Sequence, residues 1–457
     1  MTLRRILIAN RGEIAVRIIR TCRRLGIETV LAASEADRDS TPARLADRTV
    51  CIGPARPGDS YLRVETILAA ALAVRADAVH PGYGFLSERP ALAQACEQHG
   101  VIFIGPTAGQ IESVGDKLRA RAQACAAGVP VVPGGAVGST ADAAALARRI
   151  GLPVLVKAVG GGGGRGIKRV ESLEDLPHAL QLAQAEAGAA FGDARVYVER
   201  FVTRGRHVEV QVLGDGRGGV AHLGERDCSI QRRYQKIIEE TPAPGLSEPL
   251  RQRLHEAAVR FAGRMAYRGA GTVEFLVEPP RDAFYFLEMN ARIQVEHPIT
   301  EAVTGVDLVA EQIAIAAGEG LRLEQSDIRR RGCAIECRVN AEDPARDLQP
   351  SPGRVSAVSW PAGEGIRVDT HIEAGARIPP FYDSLMAKII AYADDREAAL
   401  ERMWRAIAST RIQGVASNLS LHSTVLASQE FQHGGVDTGF LSRLLEGAPM
   451  LVEARLG

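Results

Sequence analysis

Seven cysteines occur in the 457 residues, and no two stand as Cys-x-x-Cys. Their odd number and scatter exclude a disulfide framework or a cysteine-built metal knuckle, and point to a reducing, cytoplasmic compartment. Long apolar runs are also missing. The run at the N-terminus, "ILIA", is cut by Asn10, Arg11 and Glu13, so neither a signal peptide nor a membrane span is expected. Charge of neither sign is in excess: 55 lysines and arginines balance 55 aspartates and glutamates, which argues against a nucleic-acid coat or an acidic tail. Cationic patches are therefore expected as local sites. No internal repeat or low-complexity segment occurs apart from one run of glycines. A chain of 457 residues is too long for one core, and two or three packed units are expected.

The opening reads as a buried strand ("RILIA"), a turn ("NRGE"), a helix ("IAVRIIRTCRRLG") and a second strand ("ETVLAAS"), the order that builds a parallel sheet. "DAVHPGYGF" and "VIFIG" extend the pattern, and this α/β unit is expected to span 1–115. A helical linker (116–131) precedes a small unit (132–203), in which the strands "VPVVPG", "LPVLVKAVG", "GIKRV" and "RVYVERFV" surround the helix "ADAAALARRIG". Residues 204–446 read as a larger mixed region, rich in alternating strands, with helices such as "EPLRQRLHEAAVRFAGRMAY"; 447–457 form a tail.

What the chain does have is a glycine run, "KAVGGGGGRGIKRV", with five consecutive glycines behind Lys157. Glycine loses more chain freedom on folding than any other residue, so something is expected to approach the bare backbone closely. Successive N–H groups in a loop between strands can wrap a triphosphate, with Lys157 as a fixed positive charge. A loop kept only for flexibility would mix serine among the glycines. No Gly-Lys-Ser/Thr opens a helix here, so this is not a Walker loop, and it is a poor dinucleotide fingerprint.

In "GTVEFLVEPPRDAFYFLEMNARIQVEHP", two strands flank a turn at Pro279 and Pro280. If Val277 faces Tyr285, the same register sets Glu274 opposite Glu288. Carboxylates facing across strands repel, and a divalent cation between them removes the conflict. If the backbone stays extended, Glu288, Asn290, Arg292, Gln294 and Glu296 share one face, in an order suited to metal, anion and base; a solvated edge strand also alternates.

His207, Glu209 and Gln211 alternate with valines in "GRHVEVQVLG", where His207 alone reads as a hydrogen-bonded structural histidine. "ERDCSIQRRYQKIIEE" is a basic run that suits an anionic substrate. In "RGCAIECRVNAEDP", Cys333 and Cys337 share a core-facing side, and Arg338 is aimed toward a polar cleft; a salt bridge and a site fit it equally. Tyr83, between glycines in "HPGYGFLSERP", follows a strand at the carboxyl end where open α/β sheets bind ligands, though a packed turn fits as well. Lys117 is ambiguous by itself.

Taken together, "IANRGEIAVRIIR", "HPGYGFLSE", "VGDKLRAR", "KAVGGGGGRGIKRV", "GRHVEVQVLGDG", "GERDCSIQRRYQKIIEETPAP", "GAGTVEFL", "EMNARIQVEHPITEAVTGVDLV" and "IECRVNAEDP" strongly resemble biotin carboxylase, the ATP-grasp component of acetyl-CoA carboxylase and its relatives. The likeness runs nearly end to end, in family order. It implies an α/β and α+β chain with an N-terminal Rossmann-like (pre-ATP-grasp) domain, a mobile glycine-rich lid and a C-terminal mixed-sheet catalytic domain. It also implies ATP, Mg²⁺ or Mn²⁺, bicarbonate, and biotin supplied by a partner carrier protein.

Carried over motif by motif, the resemblance places Lys117, Lys157, His207 and the lid glycines Gly163 and Gly164 at the ATP phosphates. It places Glu199, Arg200, Phe201 and Val202 at adenine, with Tyr234 near the nucleotide. Glu274 and Glu288, supported by Asn290, are implied as metal ligands. Lys236, Arg292, Gln294 and the Val295 N–H are implied at bicarbonate, Glu296 as its base, and Arg338 with Tyr83 at biotin. The implied reaction proceeds through carboxyphosphate to carboxybiotin, ADP and phosphate. Departures from the family pattern are Arg200 for a common lysine, Tyr234 for histidine or asparagine, and Ala291 for threonine; none removes a charge from this scheme.

Family biotin sits on a lysine flanked by methionines, and no methionine here adjoins a lysine. The carrier and the carboxyltransferase are therefore expected on partner subunits, and the enzyme itself is expected to be a cytoplasmic homodimer. The alternatives are another ATP-grasp ligase that activates a different carboxylate, and a silent nucleotide-binding scaffold.

Overall fold

Short apolar runs near the N-terminus assemble into a parallel sheet in the computed structural model, which describes residues 2–159 and 167–447. Strands β1 (Arg5–Ile8), β2 (Glu28–Ala33), β3 (Arg48–Cys51), β4 (Ala78–His80) and β5 (Ile102–Phe103) lie in the order β3-β2-β1-β4-β5. Alternate residues feed two different cores: Leu7, Val30 and Val79 face one, Ile6, Ile8 and Leu31 the other. Burial on both faces is what makes these runs continuously apolar. The strand order reverses between β1 and β4, and a crevice is expected beyond their carboxyl ends. There the Asn10 amide donates to the carbonyls of Pro81 and Tyr83, both at 2.7 Å. Gly82 makes that approach possible: its φ is +61°, and a Cβ there would stand 2.9 Å from the Asn10 amide nitrogen.

A four-stranded antiparallel sheet follows, built from β6 (Gly134–Ala136), β7 (Val154–Ala158), β8 (Ile167–Val170) and β9 (Val196–Arg200), ordered β6-β9-β7-β8. Its core joins Val154, Val156, Val170 and Val198 to two helices, Thr140–Ile150 and Leu176–Phe191. The second helix was not expected; its alanines blur the apolar face. "VPVVPG" is not a strand, because Pro130 and Pro133 lack the N–H that a ladder needs. It makes one bridge, Val131 to Phe286, and the Pro130 carbonyl accepts the Phe286 N–H at 2.7 Å. The helical linker expected over 116–131 is shorter than that: a first helix ends at Gly115, and Asp116 caps a second, Lys117–Ala126.

The third sheet has eight strands. It runs β14 (Ala283–Asn290), β13 (Arg268–Glu278), β10 (Arg206–Asp215), β11 (Val220–Arg232), β12 (Gln235–Thr241) and β15 (Cys333–Asn340), and continues through the strands Leu385–Ala393 and Ile366–Thr370. Helix Glu248–Arg264, capped by Ser247, buries Leu250, Leu254, Ala258 and Phe261 in the same core as Val208, Val210 and Val212 of β10. Phe261 is fully buried, with its ring centroid 4.7 Å from that of Phe286. Phe261→Ala is expected to cost about 3–5 kcal/mol, read as a lowered denaturant midpoint at unchanged slope. Cys337 is buried in a core, as expected, and Cys333, half-buried, packs against the same core. Among the described residues, no helix is long and apolar enough to cross a membrane.

Candidate active site

Glu274 and Glu288 do face each other across β13 and β14, but not through the expected register. Val277 faces Phe284, not Tyr285, and a bulge at Leu287 realigns the strands between the pairs Phe275–Phe286 and Glu274–Glu288. The charged row is also wider than the two acids. Glu274 pairs with Glu209 of β10, and Glu209 with Arg226 of β11, so Arg226, Glu209, Glu274 and Glu288 stand side by side on four adjacent strands. Arg226 is fully buried; its guanidinium donates to Glu209 Oε1 at 2.7 Å and to Gln211 and Thr300, each at 2.9 Å.

Lys236, from β12, lies over this row. Its ammonium reaches Glu209 Oε2 at 2.5 Å, Glu274 Oε1 at 2.9 Å and Glu296 Oε1 at 2.7 Å. Asn290 and Gln294 also donate to Glu274 Oε1, at 2.9 and 3.3 Å. By contrast, Glu288 has no hydrogen-bond or ion-pair partner among the described residues. The strand does not stay extended: it ends at Asn290, and a turn leads into helix His297–Thr304 with Glu296 at its N-cap. Arg292, Gln294 and Glu296 are thus delivered by a loop.

That loop is well braced. Arg292 donates to Glu88 at 2.8 Å, to Gln294 Oε1 at 2.7 Å and to Asn290 Oδ1 at 3.0 Å, and Glu88 also accepts the Ala291 N–H at 3.0 Å. The Ala291 side chain itself lies in the core. Arg338 donates to Glu296 Oε2 at 2.9 Å and to Glu239 Oε1 at 2.6 Å. The Val295 carbonyl accepts from Lys388 at 2.8 Å, and the Tyr83 hydroxyl donates to Glu13.

On the other side of the row, Lys157 of β7 pairs with Glu199 of β9. Lys117 is the first residue of its helix, where burial lowers its pKa against the raising charges of Glu288 and Glu199. His207 Nε2 lies 3.1 Å from Glu274 Oε2, and its Nδ1 is 2.8 Å from the Gln231 amide. The Arg200 side chain is committed to Glu278 at 2.9 Å and to the Tyr285 hydroxyl at 3.1 Å. Phe201 stacks under Arg169, whose guanidinium lies 4.3 Å from the ring centroid, and Val202 is buried. Tyr234 sits at the tip of the β11–β12 hairpin, φ +66° and 56% exposed, apart from the acids. Gly163 and Gly164 lie outside the described residues.

Burial pushes the carboxyls of Glu274, Glu296, Glu288 and Glu239 up, and the neighbours decide the outcome. For Glu274, Lys236 and His207 outweigh burial and hold it well below the usual range. Glu296 is likewise held well below, by Lys236, Arg338 and Arg226. Glu288 goes the other way, raised by burial and by the charge of Glu274. Burial also raises Glu239, to about 7, despite Arg338.

A half-buried acid without a hydrogen-bond partner, facing a second acid that is buried, fits a divalent cation held between Glu274 and Glu288. His207, Glu209 and Glu274 each bring a ligand atom within 4.8 Å of the others. Glu209, Arg226, Glu239, Glu88 and Lys388 were not singled out from sequence as site residues. Cross-strand register would have found Glu209 and Arg226; Glu239, Glu88 and Lys388 join the site through side-chain contacts that register with the acid row does not set.

Three family models cover the chain: biotin carboxylase N-terminal domain (residues 2–111), carbamoyl-phosphate synthase L chain ATP-binding domain (116–324) and biotin carboxylase C-terminal domain (336–443). Fold and site define an ATP-grasp ligase. A biotin carboxylase from Nostoc sp. is 50% identical over 442 residues, covering 96% of this chain and 99% of the relative. A biotin carboxylase from Pseudomonas aeruginosa is 50% identical over 446 residues, 97% of this chain and 99% of the relative. The β,γ-ATP complex of biotin carboxylase from Campylobacter jejuni superposes with a TM-score of 0.94 at 43% identity, covering 97% of this chain and 99% of that one. The biotin carboxylase domain dimer of 2-oxoglutarate carboxylase from Hydrogenobacter thermophilus, solved with MgADP, ADP and bicarbonate, also gives 0.94, at 44% identity, covering 98% and 100%. The chain belongs to the biotin carboxylase family, and it is an ATP-dependent ligase.

Proposed function

We propose that Arg292, Gln294, the Val295 N–H and Lys236 hold bicarbonate in the gap between the acid row and Glu296, in a reaction that carboxylates biotin at the expense of ATP. The observation that carries this reading is the position of Lys236: one ammonium touches Glu274 on the metal side and Glu296 on the base side. Glu274 and Glu288, with Asn290 bracing the first, would hold Mg²⁺ or Mn²⁺, which when bound neutralises charge on the ATP phosphates. Lys117, Lys157, His207 and the lid glycines would meet those phosphates. Glu199 to Val202 would hold adenine largely through backbone groups, since the Arg200 side chain is already paired.

Glu296 takes the bicarbonate proton as the bicarbonate oxygen attacks the γ-phosphorus and the bond to ADP breaks. Carboxyphosphate then splits into CO₂ and phosphate, the phosphate removes the ureido N–H proton, and the nitrogen adds to CO₂. Arg338 faces the negative charge that grows on the ureido oxygen. Biotin would arrive at Tyr83 and Arg338 on a separate carrier protein, and a separate carboxyltransferase would use the product. The enzyme would work in the cytoplasm as a homodimer. Which acyl-CoA or other acceptor follows is set by the partner.

The test is transfer of labelled bicarbonate to free biotin, with ATP and Mg²⁺, accompanied by an equal release of ADP. Stimulation by an amine and not by biotin would favour a different ATP-grasp ligase. A second expectation concerns pH. A metal needs the ionised form of Glu288, whose pKa is raised in the fold. Mn²⁺ affinity should therefore weaken as pH falls, approaching about tenfold per unit once Glu288 holds its proton, and an electron-paramagnetic-resonance titration of free Mn²⁺ reads it. An affinity flat through that range would remove Glu288 from the metal site.

A further inference from the structure

Lys388 stands in the middle of "LMAKIIAYA", a strand with a continuous apolar run, and its side chain has no solvent exposure. Its register neighbours are Arg338 on one side and Asp369 on the other. A buried ammonium beside a half-buried guanidinium is expensive unless each is fully paired. The Lys388 ammonium donates to the Val295 carbonyl at 2.8 Å, lies 3.1 Å from Glu13 Oε2 off the line of a hydrogen bond, and is 3.9 Å from Asp369 Oδ2. Asp369 already has a partner in Arg367 at 2.7 Å. Glu13, buried in helix Gly12–Arg24 of the first unit, accepts the Tyr83 hydroxyl on its other oxygen.

We propose that Lys388 is a positioning residue for the bicarbonate loop, and that through Glu13 it fixes the loop and Tyr83 relative to each other. The inference rests on the functional reading above, which places Val295 and Glu296 at bicarbonate and Tyr83 at biotin. A lysine that only docked two units would spend its donors on carboxylates. This one spends a donor on a carbonyl of the loop, and holding that carbonyl fixes the peptide that joins Val295 to Glu296. Glu13 extends the link to the crevice of the parallel sheet, so the two substrate sites are registered against one buried ammonium. Because the Tyr83 proton is given to Glu13, Tyr83 offers biotin a lone pair, a partner for a ureido N–H.

The experiment compares Lys388→Met with the double variant Lys388→Met/Glu13→Gln. In the single variant Glu13 is left buried and unpaired, which lowers Tm; in the double variant that charge is gone and Tm recovers. The inference expects the bicarbonate KM to rise about tenfold or more in both variants, with ADP affinity by calorimetry within about twofold of wild type, since the nucleotide groups lie on other strands. A bicarbonate KM that is unchanged in the single variant, or that returns to the wild-type value together with Tm in the double variant, overturns it and leaves an ordinary domain-docking ion pair. Should the single variant fail to fold, the double variant decides alone. Wild-type ADP release without any biotin stimulation would instead defeat the functional reading, and the inference with it.

Discussion

Glu296→Gln is expected to lower kcat for carboxybiotin formation by about 10²–10⁴-fold, with ADP affinity little changed. The carboxylate is buried, ionised by Lys236, Arg338 and Arg226, and set at the start of helix His297–Thr304, where negative charge is favoured. Glutamine keeps the shape and loses the base. The fold should tolerate the change, because Lys236 keeps Glu209 and Glu274, and Arg338 keeps Glu239. Steady-state turnover with free biotin measures it. Turnover equal to wild type would mean that Glu296 is not the base, and would lend weight to a catalytically silent scaffold.

Arg338→Gln should separate the two halves of the reaction. Carboxybiotin formation falls by about 10²–10³-fold, the size of a lost oxyanion partner, whereas bicarbonate-dependent ADP release without biotin persists within a few-fold. The variant removes the guanidinium shared by Glu239 and Glu296, and a buried carboxyl stripped of its cation would ordinarily be costly. Glu239 escapes most of that cost. Burial already raises its pKa to about 7 with Arg338 present, so without Arg338 it takes up a proton instead of remaining charged. Glu296 keeps Lys236. Equal loss of both activities would place Arg338 at the first step.

The facing acid pair, Glu274 and Glu288, was legible in the sequence for a partly wrong reason. Counting from a Val277–Tyr285 pair gives Glu274 opposite Glu288, and the structure reaches the same pair only because a bulge at Leu287 absorbs one residue. A bulge leaves no local mark on composition, so its presence could not be read. The alternation from Glu288 to Glu296 likewise picked out side chains that gather around Glu274, although the chain turns after Asn290 and a loop delivers the last three. What stayed hidden was whatever depends on long-range pairing. Glu209 becomes a site residue only when β10 is laid beside β13, and Lys388 reads as a stray charge in an apolar strand until Val295 and Glu13 close on it. The parallel sheet was legible because its strands are buried on both faces and repeat with helices between them, whereas helix Leu176–Phe191 was missed because alanine fits either face.

The central claim is that carboxylates from β13 and β14 share a metal while Arg292 and Glu296 hold the attacking anion. Anomalous diffraction from crystals grown with Mn²⁺, ADP and bicarbonate tests it most directly. The expected map places Mn²⁺ at about 2.1 Å from an oxygen of both Glu274 and Glu288, with bicarbonate against Arg292 and the Val295 N–H and within hydrogen-bond reach of Glu296. Manganese bound away from that pair, or bicarbonate seated elsewhere, would contradict it.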